Sequence, residues 1–206
     1  EVAWFIFFGP WIKSLPHPTY STALDISHEV DRAAAFYIIV LGEYLYNVIV
    51  GLSVAIGLNL CALRAVWTLV VAFCLNRPYV NADGAIDSAH PLHRAVWSAF
   101  TWILIHLPLN MGLLIGGHIC AISVAQDELG SGERWLLGGG LGTGLLVLFI
   151  IPFFFWDILI LLQIVRIFPR LLVAITLALL PLVPPEELNP TQLLSIAAGL
   201  LVFLVL

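Results

Sequence analysis

The length of the apolar runs, and how rarely a charge interrupts them, constrains this chain more than any other feature. A helix needs about 20 apolar residues to cross about 30 Å of hydrocarbon, and several stretches here reach or approach that length. Composition agrees. The chain is 61% hydrophobic and 10% charged, where soluble domains carry roughly 45–50% apolar and about 25% charged residues. A disordered chain, a nucleic-acid binder with a basic face and an ordinary water-soluble enzyme are thereby excluded. The fold class expected is all-α: a polytopic transmembrane helical bundle of about six to seven spans, with the lipid bilayer as its obligatory partner. Residues 1–206 read as a single transmembrane helical domain.

Cutting the runs at charges and Pro/Gly clusters gives a map. Span 1 covers Val2–Leu15 with Pro10 inside it, span 2 Ala33–Leu52, span 3 Leu58–Asn76, span 4 Ala95 to about Ala121, and span 5 Trp135–Phe155. The segment Asp157–Arg170 fits an interfacial helix or the start of span 6 equally well. Span 6 then runs to Val183, and span 7 begins at Thr191. The first and last runs are short of a full crossing, so both are expected to be truncated spans and the chain part of a longer protein. No signal peptide pattern is visible at the start. Cys61, Cys74 and Cys120 sit in apolar runs with no CxxC or zinc spacing, and read as small buried hydrophobes.

Charge distribution orients the spans. Lys13, Arg32, Arg77, Arg94, Arg166 and Arg170 fall in or beside links 16–32, 77–94 and 156–170, while only Arg64 and Arg134 fall on the other side. By the positive-inside rule the first group faces the cytoplasm. The opposite side collects Asp127, Glu128, Glu133, Glu186 and Glu187, which accounts for much of the net charge of −5.

Against this frame two polar positions stand out. Glu43 lies 11 residues after Arg32, and His106 lies 12 residues after Arg94. At ~1.5 Å per residue these are ~16 Å and ~18 Å from the same side, so the two are expected to share a level near the midplane. Each is followed four residues later by an amide, Asn47 and Asn110, on the same helix face. An ionisable group at that depth is expensive and must find a partner or a water cavity. A carboxyl–imidazole pair there suits a path for protons or small cations. The alternative is structural: Glu43 neutral and bonded to a neighbouring helix, His106 donating to a carbonyl freed by Pro108. Pro108 removes a backbone donor and is expected to kink span 4. His118 falls off the His106 stripe.

Other clusters carry less. Asp87, His90 and His93 have an i, i+3, i+6 spacing, but Pro91 argues against one helical face, so no metal site is expected. Gly138, Gly139, Gly140, Gly142 and Gly144 lack the lysine and spacing of a phosphate loop and read as a close helix-packing surface. Trp11, Tyr79, Trp135 and Trp156 fall at span ends, where amphipathic rings favour the headgroup level. No cofactor is implied.

The run His28-x-x-Asp31-Arg32-x-x-x-Phe36-x-Ile38-Ile39-Val40-Leu41-Gly42-Glu43 resembles a signature of the low temperature requirement A (LtrA) family. A second match is His106-Leu107-Pro108-Leu109 with Gly112, preceded by Arg94. Asp31 stands where that family has Glu, Ala35 where Leu is common, and Tyr44 where a small Ser is typical. The resemblance implies a multi-pass membrane protein connected with growth under cold stress, and no particular molecular activity. It marks His28, Asp31, Arg32, Glu43 and His106 as positions to test.

Three functions remain open from the sequence. One is a proton- or ion-coupled transporter or channel-like protein using Glu43 and His106, with Asn47 and Asn110 beside them. A second is a non-catalytic membrane scaffold, in which the buried polar groups serve only helix specificity. The third is a membrane-embedded lipid enzyme, which would need a nucleophile–base pair or metal cluster near the interface. An oligomer is compatible with all three.

Overall fold

The structure is a computed structural model that describes residues 26–50, 59–80, 92, 96–154 and 160–206. Those residues form six α-helices: α1 Ile26–Val50, α2 Leu60–Val80, α3 Val96–Ala125, α4 Ser131–Ile150, α5 Ile160–Leu179 and α6 Pro190–Val205. Short 3₁₀ turns extend α4 through Ile151–Phe154 and α5 through Leu180–Leu182. Four stretches are long and apolar enough to cross a membrane: Ile26–Val50, Leu60–Val80, Trp97–Ala125 and Ser131–Phe154. Two shorter apolar helices, Ile167–Leu182 and Pro190–Val205, complete the described bundle. The expected spans 2 to 7 correspond to these six helices in order, and span 1 lies outside the described residues. Of the ambiguous segment, 157–159 lie outside the described residues, and from Ile160 onward it is continuous helix with the rest of α5.

Glycines set the centre of the bundle. α3 and α4 approach so closely that a Cβ on Gly140 would stand 2.6 Å from the Gly112 carbonyl oxygen and 2.9 Å from the Gly116 nitrogen. On its other side α4 meets α5 in the same way, where Gly142 lies against the Ala174 carbonyl and Gly138 against that of Leu177. Small residues let backbones touch where lipid removes the hydrophobic drive between helices, so the glycine run is a packing surface for two neighbours. α1 packs on α3 and α2, and α2 packs on α6.

The ends of the helices on the acidic side are tied by two buried arginines. Arg64, 3% exposed, donates through Nε to Thr191 Oγ1 (2.7 Å), through Nη1 to the carbonyls of Ser123 (3.1 Å) and Gln126 (2.7 Å), and through Nη2 to Asp127 Oδ1 (2.7 Å). One guanidinium thus joins the start of α2, the end of α3 and the start of α6, using the fork geometry that suits Arg. Arg134, 2% exposed, donates to the carbonyls of Leu188 and Val183, pinning the α5–α6 turn to the start of α4. Both exceptions to the charge bias are therefore interior residues rather than loop charges. The α6 start is capped reciprocally: Gln192 N donates to Asn189 Oδ1 (2.9 Å) and Asn189 N to Gln192 Oε1 (3.0 Å), with Pro190 in the first turn.

Candidate functional site

The inner face of α1 is Tyr37, Val40, Leu41, Tyr44 and Val48, a helical i, i+3, i+4, i+7 pattern. Two of these side chains set its register. The Tyr37 ring stacks on Tyr79 with centroids 4.0 Å apart, and its hydroxyl donates to the Leu75 carbonyl at 2.7 Å. Farther along, the Tyr44 hydroxyl donates to the Leu113 carbonyl at 2.8 Å, and its ring occupies the space that a Cβ on Gly117 would fill. Val48 then packs with Ala65 and Val124.

His106 is 7% exposed and sits beside Tyr79 and Trp102. Its Nδ1 lies 2.7 Å from the Trp102 carbonyl oxygen, and its Nε2 lies 3.3 Å from the Tyr79 hydroxyl. A carbonyl only accepts, so Nδ1 carries a proton, and Nε2 of the neutral ring accepts from Tyr79. The Trp102 ring lies 4.2 Å from the imidazole, centroid to centroid. Asn110, one turn on, donates Nδ2 to the His106 carbonyl at 2.8 Å, while its Oδ1 has no hydrogen-bond partner among the described residues. Arg170 from α5, 7% exposed, donates to the Leu148 carbonyl at 3.1 Å. A polar layer across three helices results, contributed by Tyr37, Tyr79 and His106.

A cleft of about 410 Å³ opens between α1 and α3 next to this layer. Its walls include Glu29, Arg32, Phe36 and Ile39 from α1, and Trp102, Ile103, His106 and Asn110 from α3. Arg32 Nη1 donates to Glu29 Oε1 at 3.2 Å, with side chains 55% and 16% exposed.

The structure corrects one expectation about this region. His106 is level with the turn that carries Tyr37, since both meet Tyr79, and Glu43 lies six residues farther along α1, roughly 9 Å at helical rise. The equal-depth expectation took Arg32 as the start of the helix, but α1 begins at Ile26, and Arg32 already lines the cleft. Glu43 and Asn47 are half-buried on the flank of the inner face, and their side chains make no hydrogen bond with the described residues. Asn110 and His106 are brought together; Glu43 and His106 are not.

The remaining expected positions divide. Asp31 and His28 are exposed at the start of α1, and Asp31 is not part of the Glu29–Arg32 pair. Arg94, with Asp87, His90 and His93, lies outside the described residues. Pro108 is exposed within α3, which runs as one helix from Val96 to Ala125, and the His106 donor goes to Trp102 rather than to a carbonyl freed by the proline. His118 is exposed. Among the described residues no group of three His, Cys, Asp or Glu side chains is placed to hold a metal. Tyr79, expected at the headgroup level, is 6% exposed inside the polar layer. Tyr37 and Tyr79 are the site members that the sequence reading missed. The spacing of Tyr37 with Tyr44 on one α1 face was the available signal for the first.

These features define a polytopic helical membrane protein with a polar layer set against an interhelical cleft. The model of the family described as bacterial low temperature requirement A protein (LtrA) matches residues 2–206, and the chain belongs to that family. No curated protein and no solved structure matches it. Tyr44 accounts physically for its departure from the family pattern, because its ring fills the groove left by Gly117 and its hydroxyl closes on Leu113.

Proposed function

We propose that the protein is a proton- or ion-coupled transport protein, with the α1–α3 cleft as part of its path and His106 as the group that exchanges protons. The observation that carries this reading is a buried imidazole on the wall of a cleft that also holds the Glu29–Arg32 pair. Ionisable groups inside spans face cavities or partners and mark ion or proton relays. The Tyr79 hydroxyl on Nε2 gives the ring a neighbour through which a proton can pass. Glu43 and Asn47, deeper along α1, belong to the same path in this reading.

Proton flux in proteoliposomes carrying the full-length protein tests it, with wild type compared against His106→Ala and Glu43→Gln. Flux lost in His106→Ala with unfolding behaviour retained supports the relay. Loss in Glu43→Gln as well extends the path to mid-depth. Wild-type flux in a folded His106→Ala protein removes the relay.

A second reading, the membrane scaffold, is favoured by one observation: both ring nitrogens of His106 already have protein partners. In that case His106→Ala lowers stability and no ion moves in wild type.

A further inference from the structure

One glycine of the α4 run is not explained by helix packing. Gly138, Gly140 and Gly142 each bring α4 against a neighbouring backbone, whereas a Cβ on Gly139 meets nothing within 4 Å. What the missing side chain leaves is the floor of an open groove of about 360 Å³ between α3 and α4. Its walls are the exposed Met111 and Ile115 of α3 and the exposed Trp135 and Leu136 of α4. We propose that this groove holds one acyl chain of a bilayer lipid whose headgroup carries an ammonium. The groove shares no lining residue with the α1–α3 cleft, so the proposal stands apart from the proton path.

Both helices are long and apolar enough to cross a membrane, and the groove therefore opens on hydrocarbon. Its length fits one lipid tail. From Trp135, in the second turn of α4, to Thr143 is eight residues, roughly 12 Å at helical rise. Gly112 lies against Thr143, and Pro108 is four residues from Gly112 in the antiparallel helix, which carries the lining roughly 6 Å deeper. The sum is close to one leaflet, half of a hydrocarbon core about 30 Å thick. Trp135 then stands at the headgroup level, where amphipathic rings sit. A helix from a second copy fits less well, because close packing in lipid needs small residues on both faces, and the large side chains of the two walls hold a second backbone off the Gly139 floor. A single chain of methylenes is narrow enough to reach it.

Charge selects the headgroup. The Trp135 end of the groove lies beside the turn that joins α3 to α4, where Asp127 and Glu128 are exposed. Among the described residues the cations on this side are Arg64 and Arg134, 3% and 2% exposed. Arg64 reaches Asp127 and two carbonyls, and Arg134 donates to carbonyls only. The accessible surface at the groove mouth is therefore acidic, and it attracts an ammonium and repels a purely anionic group. Phosphatidylethanolamine has the favoured chemistry and phosphatidylglycerol lacks it.

The test places a photocrosslinker on the groove wall, Leu136→p-benzoylphenylalanine, in full-length protein. The vesicles hold equal phosphatidylethanolamine and phosphatidylglycerol with identical acyl chains. Ile196→p-benzoylphenylalanine is the reference, because Ile196 is exposed and lies six residues into α6 on the same side of the bundle, as Leu136 lies five into α4. Intact mass reads what each adduct contains. At Leu136 the adduct is a phospholipid, and its ethanolamine-to-glycerol ratio exceeds that at Ile196 about threefold, the size of a screened surface ion contact. Asp127→Asn with Glu128→Gln, both at exposed positions, returns the ratio to the Ile196 value. Gly139→Leu, which fills the floor where a Cβ meets nothing, does the same with the unfolding midpoint kept. Equal ratios at the two positions, an enrichment that survives either set of substitutions, or a Leu136 adduct with a second copy or with another segment of the same chain overturns the proposal.

Discussion

Replacing Gly140 by alanine probes the close helix contact on which the bundle is built. Both atoms nearest the new methyl are backbone, the Gly112 oxygen at 2.6 Å and the Gly116 nitrogen at 2.9 Å, so no side-chain rotation relieves them and α3 must move away from α4. Overpacking of this kind costs about 1–3 kcal/mol. Against it stands the gain from replacing a helical glycine, about 0.5–1 kcal/mol. The net expectation for Gly140→Ala is a loss of about 1–2 kcal/mol. The neighbouring Gly139 supplies the control, because a Cβ there meets nothing within 4 Å; Gly139→Ala keeps only the gain of about 0.5–1 kcal/mol. Reversible unfolding in mixed micelles, titrated with denaturing detergent and followed by helical circular dichroism, measures both. Shifts of the same sign and size for the two variants would refute the close-packing argument.

Three further outcomes follow from the buried polar groups. Arg64→Leu strips donors from the carbonyls of Ser123 and Gln126 and from Thr191, and at about 1–3 kcal/mol for each buried group left unpaired it is expected to destabilise the protein by more than about 2 kcal/mol in the same unfolding assay. Asp127→Asn, at an 86% exposed side chain, changes stability by less than about 1 kcal/mol, so Arg64 is held mainly by carbonyls and a hydroxyl. Tyr79→Phe removes the hydroxyl from Nε2 of His106 and costs about 1 kcal/mol; proton flux slowed beyond what that instability explains ties the hydroxyl to the relay.

Much of the fold was legible because lipid leaves few choices. Apolar runs of spanning length become helices, and the glycine run of α4 became the packing surface its composition indicated. The inner face of α1 was also written in the sequence, as Tyr37, Val40, Leu41, Tyr44 and Val48. Depth was harder to read. Counting from Arg32 treated a charge as the helix start, whereas a helix begins where its backbone bonds begin, and polar Ser27, His28 and Glu29 extend α1 back to Ile26. A register error of this kind separates Glu43 from His106 although each lies on a polar stripe. Long-range partners were not legible at all: no spacing announces that Tyr79 meets His106, or that Arg64 gathers the end of α3 and the start of α6. Such contacts depend on how the helices pack, which local sequence does not encode.

The most direct measurement of the central claim is proton flux into proteoliposomes reconstituted with full-length wild type and with His106→Ala, matched for insertion and for unfolding midpoint. A relay through the cleft predicts flux in wild type and at least a tenfold loss in the variant. Equal flux in the two proteins, with the variant folded, would contradict it.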